Sequence, residues 1–214
     1  MDAKKELPTT IIVVDGTNLD HRLDEAMRSQ KQEMKDVNFA SLFEKLAEGT
    51  RLLHVHYCSS PYLSSSDPRR NEARSRQTRA FNHLNSLGYV GLHKGRHVQR
   101  PDSCFHCRRP TRVTVEKGTD VSAAVHLVHA ACTKQADRLV LIANDNDFVP
   151  ALRLSRQVGA NLTLAYVASN PGDHRIVREM LAEVSEAIRI TPEFMDQLWL
   201  SKPTVAKKTP ARQP

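Results

Sequence analysis

Apolar positions along the chain switch between two periods. TTIIVVDG, starting at Thr9, is a short β-branched run of the kind that forms a buried strand, whereas the residues after it, to about Glu48, carry helical spacing that includes Phe39, Leu42, Phe43 and Leu46. RLLHVHYC (51–58) predicts a second strand and SSPYLSSSDP a polar loop. Ala73, Ala80, Leu84 and Leu87 then recur on one face of a helix predicted over about 69–87, which Gly88 stops. YVGLHKGRHVQ and TRVTVEK predict strand pieces flanking the loop RPDSCFHCRRP, a hairpin-like insertion at about 93–115. Asp120 opens a predicted helix to about Gln135, with Val121, Ala124, Val125 and Val128 inside. RLVLIA then reads as strand, FVPALRLSRQVG as helix and NLTLAYVA as strand. Residues 174–189 predict a last core helix and PEFMDQLWL a short appended one.

Buried strands separated by helices imply a parallel sheet covered on both faces, because each crossover lays a helix over the sheet. The expected fold class is α/β, a three-layer α/β/α sandwich with a mainly parallel central sheet. One domain spans 10–200, between an N-terminal tail (1–9) and a basic, Pro-containing flexible tail (201–214).

Composition narrows the setting. The chain has 214 residues, 40% of them apolar, and no stretch approaches the roughly 18 uninterrupted apolar residues of a membrane helix. MDAKKELPTT lacks the apolar run of a secretory signal, so a cytoplasmic location without membrane association is expected. Single thiols fit that setting, Cys58 at the end of a strand and Cys132 buried in an Ala-rich helix. A net charge of +7 favours a polyanionic partner.

Acidic residues collect where an open α/β sheet places its crevice, beyond the carboxyl ends of the strands. Asp15 follows IIVV, Asp145 and Asp147 follow VLIA, Asp120 begins the helix after TRVTVEKG, and Asn18 lies one turn beyond Asp15. Four carboxylates on one rim repel one another and call for a cation or a shared proton. An all-oxygen set suits Mg²⁺ or Mn²⁺, which would let the site activate a water against a phosphodiester. Each residue also has a plainer reading: Asp120, Asn146 and Asp147 as helix N-caps, Asp15 as a turn residue. Their convergence favours the metal reading. GxxxxGK[ST] and GxGxxG are absent, and an EF-hand loop starting at Asp145 would place Pro150 at the turn glycine and Arg156 at the bidentate acid.

VDGTN (14–18), EKGTDVSAAVHLV (116–128) and LIANDNDFVPAL (141–152), in that order, resemble the NYN-domain family of PIN-like metal-dependent ribonucleases. The resemblance covers about residues 10–168. It implies that Asp15, Asp120, Asp145 and Asp147 bind metal and that Asn18 positions metal water or substrate. Asn146 stands where family members commonly have Ser, and after NPGDHR the family pattern is hard to follow.

Basic residues supply the expected RNA contacts. Arg69, Arg70, Arg74, Arg76 and Arg79 can form a ridge on one helix, Arg70, Arg74 and Arg76 being the residues assigned to substrate; Lys117 is a phosphate contact beside Glu116, an extra acid, although a surface ion pair is the preferred reading of that couple. Low aromatic content argues for backbone rather than base recognition. CFHC is half a zinc set, which His93, His97 or His106 could complete at Cys104 and Cys107, but a metal-free hairpin is preferred. His54 and His56 alternate along a strand and read as structural. The sequence leaves room for a homodimer. Two functions compete: a Mg²⁺- or Mn²⁺-dependent endoribonuclease, favoured by the intact acid set, and a non-catalytic RNA-binding or regulatory module on the same fold.

Overall fold

A computed structural model describes residues 6–200 apart from Cys104 and Pro171. Six parallel strands form the central sheet: β1 (Thr9–Asp15), β2 (Arg51–Ser59), β3 (Val90–Lys94), β6 (Arg138–Ile142), β7 (Leu162–Val167) and β8 (Glu186–Ile190). Their order is β3-β2-β1-β6-β7-β8, so the chain winds outward from β1 first one way and then the other. The crevice between β1 and β6 is therefore the topological switch point of the sheet.

Side chains on β1 alternate between two cores, as the period of a strand requires. Ile12 and Val14 pack with α1 (Gly16–Ser29), α2 (Phe39–Leu46), α3 (Pro68–Ser86) and α7 (Pro192–Met195). Ile11 and Val13 pack on the other face with α4 (Thr119–Cys132), α5 (Val149–Gln157) and α6 (Arg178–Leu181). Burial on both faces explains why β1, β6 and β7 read as continuous apolar runs rather than alternating ones. The expected three-layer sandwich is the architecture observed. No helix among the described residues is long and apolar enough to cross a membrane.

Several details differ from the sequence expectation. α4 points Ala123, Leu127, Ala130 and Ala131 at the sheet, whereas Val121 and Val125 are 67% and 58% exposed. Small alanines let the helix approach the strands closely, which outweighs the larger apolar area of the two valines. Residues 174–189 are not one helix: a 3-10 turn (Asp173–Arg175) and the short α6 precede β8, whose residues Glu186 to Ile190 pair with Thr163 to Val167 of β7. Hydrogen bonding to the open edge of β7 wins over the helical propensity of EVSEA. Cys132 is exposed rather than buried.

YVGLHK belongs to the main sheet as β3. The insertion is an antiparallel ribbon of β4 (Arg96–Ser103) and β5 (Pro110–Lys117), so RPDS of the expected loop is already paired strand. The basic tail from 201 on lies outside the described residues.

Candidate functional site

Two glycines shape the rim. Asp15 leaves β1 in an extended conformation and caps α1, its Oδ1 accepting the Asn18 N–H over 3.1 Å. Gly16 follows because α1 begins against β2: a Cβ there would lie 2.3 Å from the Tyr57 ring and 3.0 Å from the Cys58 carbonyl oxygen. Gly118, at φ +92°, turns the chain from β5 into α4 through the left-handed region that glycine adopts without strain. The turn places Thr119 and Asp120 at the start of the helix.

Asp15, Glu116, Asp120 and Asp145 line one open cleft of about 420 Å³, together with Thr17, Asn18, His21, Arg22, Glu25 and Lys117. Asp15 is its floor, only 2% exposed. Burial pushes its carboxyl up to about 7, the charges of Asp120, Glu116 and Asp145 push the same way, and the Asn18 N–H opposes them. Asp120 is raised as well, first by desolvation and then by Asp145, Glu116 and Asp147. Among the described residues no three acidic side chains each bring an oxygen within 4.8 Å of the others.

Capping falls on different residues from those expected. Asp145, not Asn146 or Asp147, caps the 3-10 turn Asn146–Phe148, its Oδ1 accepting the Asp147 N–H over 3.0 Å. Asp120 sits in the first turn of α4 but makes no cap bond, Gly118 holding that position. Asp147 faces solvent on the rim, outside the residues lining the cleft.

Glu116 is not in a surface ion pair. Thr17 Oγ1 donates to its Oε1 over 3.1 Å and Thr119 Oγ1 donates to the same oxygen, which fixes a half-buried acid between α1 and α4. A β-strand residue two positions before a glycine gave no sign of this in the sequence; only the fold brings Thr17 to it. Lys117, beside it, does reach the cleft. Asn144 was also missed. Its buried side chain bonds both backbone groups of Val167, at 2.8 and 2.9 Å, joining the ends of β6 and β7.

The arginine ridge is split. Arg69, Arg70 and Arg74 are exposed on α3. The Arg76 side chain is 12% exposed and turned toward Asp20 and Asp24 of α1, 4.0 Å from each, so it does not stand on the surface with Arg70 and Arg74. Arg79 is engaged by Asp36 and Glu72. The ribbon exposes Arg96, Arg100 and Arg112, with Phe105 in its turn 86% exposed.

A parallel doubly wound sheet with a carboxylate floor at its switch point defines a PIN-like nuclease fold. Residues 9–188 match the family model of the NYN domain, and the chain belongs to that family. The match runs beyond the stretch legible in the sequence, past β7 and into β8. No curated protein matches the chain.

Proposed function

We propose that this NYN domain is a divalent-metal-dependent endoribonuclease. The observation that carries the reading is the burial of Asp15 under three further acids, a carboxyl near neutrality whose charged form needs a cation beside it. Asp15, Asp120 and Asp145 would hold Mg²⁺ or Mn²⁺, with Glu116 as a supporting acid and Asp147 at the rim. The bound ion would neutralise charge on the phosphodiester and lower the pKa of a water. The residues fit that group: the donor set is all oxygen and carries excess negative charge.

The chain's own groups supply the rest. Asn18 holds the β1 and β6 ends together, so its amide faces the substrate with Asp145 fixed in place. Lys117 and Arg22 put positive charge on the cleft wall beside the acids. Arg70 and Arg74 on α3, and Arg96, Arg100 and Arg112 on the ribbon, give an RNA strand phosphate contacts on approach. Phe105 adds a face on which an unpaired base can stack.

Cleavage of labelled single-stranded RNA, hairpin RNA and DNA with Mn²⁺, Mg²⁺ or EDTA tests this, wild type beside Asp145→Asn. RNA cutting that needs metal and is lost in the variant is the expected result. Cutting that survives Asp145→Asn would remove the acidic rim from the chemistry, and RNA binding without cutting would favour a non-catalytic RNA-binding module.

A further inference from the structure

Three histidines from three elements meet on the α4 side of the sheet, apart from the acidic cleft. His56 on β2, His93 on β3 and His126 on α4 each offer a ring nitrogen, and these atoms all lie within 4.8 Å of one another. His56 Nδ1 and His93 Nε2 are 3.1 Å apart. The His126 ring stacks on His56 at 4.1 Å between centroids and lies 4.0 Å from that of His93. Among the described residues this is the one group of three or more potential ligands so arranged.

The geometry points to a transition-metal site of the Zn²⁺ class, held by His56, His93 and His126. Two nitrogens bound to one tetrahedral zinc at 2.0–2.1 Å sit roughly 3.3 Å apart, close to the separation of His56 Nδ1 and His93 Nε2. Imidazole donors select Zn²⁺, Cu²⁺ or Ni²⁺ over the hard cations of the carboxylate cleft. Three protein nitrogens leave a fourth position for water or for His54, whose ring is 4.5 Å from that of His56. The backbone keeps this space open. A Cβ on Gly91, between the rings on β3, would lie 3.0 Å from His54 Nε2 and 3.2 Å from His93 Nε2.

Protonation is consistent with the geometry. Burial holds the rings of His56, His93 and His126 below the usual imidazole pKa, and their neighbours reinforce it, so they are neutral and able to ligate. Ligation requires lone pairs on both facing nitrogens. The proton now shared between His56 and His93 moves to the far nitrogen of the ring that carries it, with no net release. A bound ion would tie edge strand β3, from which the ribbon springs, to β2 and to the helix that bears Asp120.

Co²⁺ added to the full chain, followed by visible absorption, tests the site. One equivalent should give the intense bands of a tetrahedral nitrogen environment, without the sulfur-to-cobalt charge transfer of a site at Cys104 and Cys107 and unlike the weak bands of an octahedral oxygen site. Zn²⁺ should displace it. His126→Asn and His93→Asn should each weaken binding at least about tenfold, while Asp145→Asn and Cys107→Ser leave it unchanged. Tetrahedral bands that persist in both histidine variants, or only octahedral or thiolate signatures in the wild type, would overturn the assignment. If a variant does not fold, the imidazole ¹⁵N resonances of the wild type decide: one equivalent of Zn²⁺ should shift those of His56, His93 and His126 together, and no shift refutes the site.

Discussion

The Asn18 side-chain oxygen on α1 accepts the backbone N–H of Asn144, 126 residues further along the chain, over 3.1 Å. One amide thus fastens the turn after β1 to the turn after β6, and with it Asp15 to Asp145. Asn18→Ala should cost about 1–3 kcal/mol, because the Asn144 N–H loses its acceptor in a half-buried place. Cleavage should fall by more than about tenfold if the two acids lose their spacing. Asn18→Asp, which keeps an acceptor, should recover much of the stability in a urea titration while leaving cleavage impaired.

Asp15→Asn should stabilise the metal-free protein at alkaline pH. A carboxyl that titrates near 7 when folded and near 4 when unfolded binds more protons in the native state across that window. Stability therefore falls as pH rises from about 4 to about 7 and stays lowered above it. In EDTA at pH 8 the variant should be more stable by roughly 2–4 kcal/mol, and the gap should close toward pH 4. Equal stabilities at both ends would mean that Asp15 is not held against its charge.

Gly118→Ala tests the turn into α4. At φ +92° any side chain costs about 1–2 kcal/mol, although nothing lies within 4 Å of the Cβ position. Thermal unfolding should show that loss. Because Asp120 follows two residues later, a drop in metal-dependent cleavage should accompany it.

Arg70→Ala with Arg74→Ala should weaken RNA binding and lower the slope of log affinity against log salt by roughly 0.7 for each phosphate contact removed from a single strand. Arg76→Ala should behave differently. Its guanidinium lies between Asp20 and Asp24, so its removal should lower the melting temperature and leave the salt slope unchanged.

Legibility followed burial. β1, β6 and β7 are enclosed on both faces and announce themselves as apolar runs; the acids at their ends are placed by topology alone. Arg76 was readable too: it falls three residues after Ala73 and four before Ala80, on the buried stripe of α3 rather than its outer face. β8 was not, since Glu186 to Ile190 take their conformation from the edge of β7 rather than from their own pattern. Glu116 and the histidine trio share that property. Thr17 lies 99 residues from Glu116, and His126 stands on α4, far along the chain from His56 on β2, so no period links them; only Thr119, three residues after Glu116, is close in sequence.

The order of the sheet also sets a timetable. β1 precedes the other strands of this sheet, and its second neighbour, β6, begins only at Arg138. A nascent chain that has just completed α4 already holds Asp15, Glu116 and Asp120, but neither Asp145 nor the Asn144 backbone that Asn18 must grasp. Pairing over such a span is entropically slow. The acid set proposed for cutting is consequently incomplete in a growing chain until Asp145, just beyond β6, has been added.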